Sequence, residues 1–182
     1  MFRPVLILGD PLLRRKSAPV DDFSDPALKD EMRDLKEALE RFRREHGFGR
    51  GIAAPQIGIP KRMIALNLGQ GTFVIANPEI VRRSDETFTM WDDCMSFPDL
   101  LVRVWRYVSV DLRYMDEDGA AKEWTGIGQA ESELLQHEID HLDGVMATDR
   151  AIEPEDILYK SEYQKHKKLY DERVDYVITP TI

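Results

Sequence analysis

Residues His137-Glu138-Ile139-Asp140-His141 spell H-E-x-x-H. On an α-helix, positions four apart share a face and stand one turn apart. His137 and His141 can therefore aim their imidazoles at one point. Glu138 can reach a water held there. Two neutral imidazoles plus a carboxylate that is not itself a ligand suit a hydrolytic metal site: the imidazoles hold the ion, and the carboxylate moves the proton. The chain has only four His, and two fall at this spacing. The plainer alternative is a helix of ordinary charges with one His facing the core.

A catalytic site of this type takes three protein ligands and keeps a position open for water. The extended metallopeptidase pattern would put a third His at position 147, where this chain has Ala147. Two candidates remain. Glu162 lies downstream at a distance another peptidase class uses. Cys94 is the only thiol in the chain. A lone Cys forms no internal disulfide, so its roles are packing, metal binding or nucleophilic chemistry.

The site needs a helix under it. That helix is expected to start after Gly126 or Gly128, to pack through Ala130, Leu134, Leu135, Ile139 and Leu142, and to stop at Gly144. Upstream, Ser24 or Asp25 followed by Pro26 reads as a helix start, and Leu28, Met32, Leu35, Leu39 and Phe42 follow at helical spacing. The segment Gly49 to Gly58 reads as a loop of small residues. Strand character covers Lys61 to Leu68, Thr72 to Ala76 and Glu86 to Met90, with a turn at Asn77-Pro78 and a new short strand from Ile80. Val102–Met115 and Ala121–Trp124 read as a hairpin about Asp116 to Gly119. A charged C-terminal helix is expected from about 153 to 172, and Val174 to Ile178 as a last strand before the tail Thr179 to Ile182. The fold class is thus α+β: short, mostly antiparallel strands packed around the central H-E-x-x-H helix. One domain over 1–182 is expected, its core about 1–150.

The chain has 182 residues, enough to bury a sizeable core. A net charge of −9 argues against broad nucleic-acid binding, so no DNA partner is expected. No apolar run approaches a membrane span, and the N-terminal apolar stretch is too short for a signal peptide. The expectation is a cytoplasmic protein without a membrane partner.

Three stretches taken together carry a resemblance. Gly49-x-Gly51-Ile52-Ala53-Ala54-Pro55-Gln56, then Cys94-x-Ser96, then Gln136-His137-Glu138-x-Asp140-His141 are similar to the three motifs of peptide deformylase, in that family's order and at similar separations. Gly9-Asp10-Pro11-x-Leu13-Arg14 adds to the likeness. The resemblance implies removal of the N-formyl group from the formylmethionine of newly made polypeptides, with release of formate. It implies one divalent metal ion held by Cys94, His137 and His141: Fe(II) first, with Zn, Ni or Co as alternatives. Glu138 would be the general base and acid, and Gln56 and the backbone N–H of Met95 would stabilise the oxyanion. Formylated nascent N-termini would be the partners, with the ribosome as a further candidate.

The chain also departs from the family. The second motif normally reads Glu-Gly-Cys-Leu-Ser, and here it is Asp92-Asp93-Cys94-Met95-Ser96. Asp92 keeps a carboxylate, expected to pair with Arg106. Asp93 puts an acid beside the ligand and removes backbone freedom. Arg50 replaces an apolar residue near the substrate. Arg50, Gly51, Asp93 and Glu133 are the expected substrate contacts, with Arg50 and Glu133 paired and the pocket more polar than usual. The alternatives are an amide hydrolase acting on a different formyl or acyl substrate, and an inactive metal-binding relative.

Overall fold

The computed structural model describes residues 3–178. Helix α1 spans Pro26–His46. The Asp25 carboxylate caps it by accepting from the Ala27 N–H at 2.9 Å, and Pro26 sits where a missing N–H is harmless. Leu28, Met32, Leu35, Leu39 and Phe42 form its buried stripe. Burying each such side chain contributes about 1.5–3 kcal/mol.

Strands β1 (Gly51–Ala53), β2 (Met63–Asn67), β3 (Thr72–Arg83), β6 (Val110–Met115) and β7 (Ala121–Ile127) form an antiparallel sheet in the order β1-β2-β3-β6-β7. Strand β2 is buried throughout. Its Met63 and Ala65 join the core under α1, whereas Ile64 and Leu66 join the core on the other face. That second face is covered by helix α2 (Gln129–Leu142), through Leu134, Leu135 and Leu142. A smaller antiparallel sheet, β4 (Thr87–Asp92), β5 (Leu100–Tyr107) and β8 (Ile157–Tyr159), flanks α2 from the other side. Gln136 fastens α2 there: its amide accepts from the Tyr107 N–H and donates to the Tyr107 carbonyl, both at 3.0 Å. The chain is an α+β fold of mostly antiparallel strands built around α2, as its patterning indicates.

Helix α2 ends at Leu142, and the chain turns at Gly144. Gly144 has φ +73°, and a Cβ there would meet the Arg14 carbonyl oxygen at 2.6 Å. Only glycine fits both demands.

Several local expectations are corrected. Asn77-Pro78 is not a turn, because β3 runs through it with a register shift between Ala76 and Glu79. Asn77 takes φ 50°, and its side-chain amide bonds to both the N–H and the carbonyl of Val20 at 2.8 Å. The proline therefore falls at a bulge, where no ladder donor is needed. Val102–Met115 is not one arm of a hairpin. The chain changes sheet between β5 and β6, and only β6 pairs with β7. Gly49 to Gly58 is not all loop, since it contains β1 and a 3-10 turn at Ala54–Ile57.

The C-terminal helix from about 153 to 172 is also absent as such. A 3-10 turn at Pro154–Asp156 leads into β8, then α3 (Lys160–Lys165) and α4 (Lys167–Asp171). Asp156, the last residue of that turn, is fully buried and binds Arg103 and Arg173 at 2.8 and 2.6 Å, and the chain leaves it as the strand β8 instead of continuing as a helix. Val174 to Ile178 contributes one bridge, Met90 to Tyr176, rather than a strand. The expected tail Thr179 to Ile182 lies outside the described residues. Among the described residues no helix is long and apolar enough to cross a membrane.

Candidate metal centre

His137 and His141 sit on the buried face of α2, and Cys94 sits in the loop between β4 and β5. Their ligand atoms lie within 4.8 Å of one another. His137 Nε2 is 3.1 Å from His141 Nε2, which is 3.2 Å from Cys94 Sγ. His137 Nδ1 is 2.9 Å from Asp92 Oδ2. A carboxylate accepts only, so the proton belongs on Nδ1 and the Nε2 lone pair faces the other two donors. A thiolate and two imidazoles converging this way fit a divalent transition-metal ion. Glu138 Oε2 is also buried, without a hydrogen-bond partner among the described residues. Buried carboxylate oxygens are rarely left so unless something polar enters the cavity beside them.

Asp92 is buried between His137 and Arg106, whose Nη2 lies 2.9 Å away. Burial works to raise its pKa, but the charges of His137 and Arg106 outweigh it and hold the carboxyl well below its ordinary value. Arg106 also reaches Asp140 at 2.7 Å. One guanidinium thus ties the residue behind His137 to the helix that bears it. Burial pushes Glu138 up to about 7 against the pull of His137. A cation in the triad would draw it back down. Burial disfavours charge on His137, but Asp92 outweighs this and raises its pKa well above the ordinary value. Metal uptake at Nε2 would therefore release a proton.

The triad opens on a cavity of about 210 Å³. Cys94, His137, Glu138, Gln56, Met95, Arg50, Gly51, Asp93 and Glu133 all line it. Gln56 is buried in the 3-10 turn, its Oε1 accepting from the Ala53 N–H at 2.8 Å and its Nε2 reaching Ser96 Oγ at 3.2 Å and Cys94 Sγ at 3.5 Å. A Cβ on Gly51 would fall 2.9 Å from Glu138 Oε1, so a side chain at 51 would displace the carboxylate. The expected Asp92–Arg106 and Arg50–Glu133 pairs are both present. Glu162 does not join the cluster; it sits on α3 in an ion pair with Lys165. Trp91, Tyr163 and Tyr176 also line the cavity and were not singled out from the sequence. Tyr163 and Tyr176 arrive from distant segments that no spacing rule links to the motif, whereas Trp91 directly precedes Asp92 and reads from the sequence as an ordinary strand residue.

A thiol, two imidazoles and a buried carboxylate at the heart of an antiparallel α+β fold are the furniture of a metal-dependent hydrolase. The model of the polypeptide deformylase family matches residues 2–156. A peptide deformylase of Thermotoga petrophila is 36% identical over 152 residues, covering 82% of this chain and 87% of the relative. One from Brucella suis is 35% identical over 178 residues, covering 94% and 95%. Among solved structures, the peptide deformylase of Thermotoga maritima superposes with a TM-score of 0.76 at 31% identity, covering 84% of this chain and 99% of that one. The enzyme from Synechococcus elongatus, in complex with actinonin, gives 0.77 at 27% identity, covering 98% and 91%. The chain belongs to the polypeptide deformylase family. Its activity is removal of the N-formyl group from newly made polypeptides, and the alternatives of another acyl substrate or an inactive relative are not favoured.

Proposed function

We propose that Cys94, His137 and His141 hold one divalent ion, Fe(II) first among Zn, Ni and Co, and that Glu138 carries the proton during deformylation. The observation behind this is the convergence of the three donor atoms within 4.8 Å, with the buried Glu138 carboxylate in the same cavity. When bound, such an ion supplies Lewis acidity and an activated water. Glu138 takes a proton from the attacking water and later returns it to the amine nitrogen as the C–N bond breaks. Gln56 Nε2 and the Met95 N–H donate to the formyl oxygen as it gains charge. Water and the formamide are consumed, and formate and a free α-amino group are produced.

Asp92 positions His137 by fixing its Nδ1 proton, and Arg106 fixes Asp92. Arg50, Gly51, Asp93 and Glu133 contact the substrate. The chain acts as a single domain in the cytoplasm, where nascent chains emerge, with the ribosome as a candidate partner. The test is formate release from formyl-Met-Ala-Ser by anaerobically purified protein, stripped by chelator and reloaded with each metal in turn. Activity that follows Fe(II) and is lost in Cys94→Ala together with bound metal supports the assignment. Full activity of the stripped protein would refute it.

A further inference from the structure

Glu133 stands four residues before His137 on α2, so the two side chains share a face and lie one turn apart. Its carboxylate is paired with Arg50, whose other contact is the Ala130 carbonyl at 2.7 Å. The pair is buried, Arg50 being 12% exposed and Glu133 3%. Arg50 is also next in sequence to Gly51, whose backbone is packed against Glu138. The ion pair is therefore built into the cavity wall beside the reacting centre. Arg50 and Glu133 line the same cavity as Cys94, His137 and Glu138, so a formyl-peptide reacting there would bring its first side chain, one Cα away from the scissile amide, toward that wall.

An apolar side chain laid on this wall strips the remaining water from a guanidinium and a carboxylate and returns no hydrogen bond. A guanidinium has five N–H groups. Glu133 and Ala130 together account for two of Arg50's, and the rest can serve an incoming acceptor. Tyr176, from the C-terminal segment, lines the same cavity with a phenolic donor. Trp91, Leu101 and Leu134 give the cavity an apolar stretch suited to the stem of a side chain.

We propose that the Arg50–Glu133 pair directs this site toward formylated N-termini whose first side chain is a methionine-length stem ending in a hydrogen-bond acceptor. On chains that begin with formylmethionine, the member of that class is formylmethionine sulfoxide, formed before binding when a peroxide transfers one oxygen atom to the thioether sulfur and is itself reduced to water or an alcohol. The inference rests on the deformylase reading and deepens it.

The test compares kcat/KM of the metal-loaded protein on formyl-Met-Ala-Ser, its sulfoxide and formyl-Gln-Ala-Ser, the last matching methionine in length. The sulfoxide and glutamine peptides are expected ahead of the thioether by about tenfold or more, the scale on which a pocket discriminates side chains. The double variant Arg50→Leu with Glu133→Leu is expected to reverse that order; replacing a buried pair by apolar groups of similar volume is commonly tolerated. A thioether preference in the unaltered protein overturns the proposal whether or not the variant folds. An unchanged order in a folded double variant also overturns it. Calorimetric binding of the three deformylated peptides gives a second reading of the same preference. If no peptide releases formate, the hydrolytic assignment fails, and the binding order alone decides the pocket's preference.

Discussion

The Nδ1 of His137 lies 2.9 Å from the carboxylate of Asp92, and Asp92 is held in turn by Arg106 at 2.9 Å. This short chain of contacts decides which imidazole nitrogen faces the metal cluster. Asp92→Asn keeps the shape but removes the charge and permits the wrong tautomer. We expect metal affinity to fall about 10–100-fold, as for other partners behind metal ligands. Metal content after dialysis against a graded chelator series measures it. Arg106→Ala is expected to be worse, destabilising the fold by about 3–5 kcal/mol, because it leaves the buried Asp92 carboxylate without its guanidinium, whereas Asp140 keeps Arg150 at 2.7 Å. Urea denaturation reads that loss.

Gly51 is required by a contact rather than by its backbone angle. Its place for a Cβ is 2.9 Å from Glu138 Oε1 and 3.1 Å from Leu134 Cδ1. Gly51→Ala should displace the Glu138 carboxylate while leaving Cys94, His137 and His141 in place. We expect kcat to drop by roughly 10²-fold, the scale of a small misplacement at a reacting centre, with metal content unchanged. Equal losses of metal and activity would show that the substitution disturbs the fold instead.

Glu40 on α1 joins helix to sheet. Its carboxylate accepts from Asn67 Nδ2 at 2.8 Å and from the Thr72 hydroxyl. These hydrogen bonds, Thr72 first and Asn67 next, lower its pKa below the ordinary 4.5. A depressed carboxylate stabilises the fold above its unfolded pKa and loses that contribution as pH falls through the folded value. Glu40→Gln should therefore cost about 1 kcal/mol near neutrality, and the difference from the unaltered protein should shrink below pH 4.5. Thermal unfolding across a pH series checks the sign.

Asp93, where the family motif has glycine, forms an ion pair with Lys160 at 3.0 Å, and Lys160 lies over the Phe48 ring at 5.2 Å. The pair links the loop carrying Cys94 to α3. Both groups are partly exposed, 34% and 26%, so the link is worth under about 1 kcal/mol. Asp93→Gly should leave global stability nearly unchanged and speed hydrogen exchange over 160–171. Trp91 continues to anchor that segment, donating from Nε1 to the Tyr170 carbonyl at 2.9 Å.

The metal cluster was legible because its chemistry is local. Two histidines at helical spacing need only a helix, and α2 begins and ends at the glycines that signal it. The third donor of the candidate cluster was not local. Spacing left Cys94 and Glu162 open, and only the family motifs separated them before the fold brought the Cys94 loop onto α2. The Asp92–Arg106 and Arg50–Glu133 pairs were reached by asking what a departure from the motif would need as a partner.

What escaped the sequence depended on tertiary contacts. Helix propensity over 153 to 172 lost to the buried Asp156, whose two arginine partners come from β5 and from beyond α4. Asn77-Pro78 looked like a turn because the contacts that hold Asn77 within β3 come from far away in the chain: Val20 binds its side-chain amide, and the Arg62 carbonyl accepts its backbone N–H. Tyr163 and Tyr176 reach the cavity for the same kind of reason.

The central claim is that Glu138 performs the proton transfers beside an ion held by Cys94, His137 and His141. The most direct measurement is anaerobic formate release from formyl-Met-Ala-Ser by Glu138→Ala and by the unaltered protein, with metal content recorded for both. We predict equal metal content and a fall in kcat of about 10²–10⁴-fold, the usual contribution of a positioned general acid–base. Undiminished release by a metal-replete Glu138→Ala protein would contradict the account.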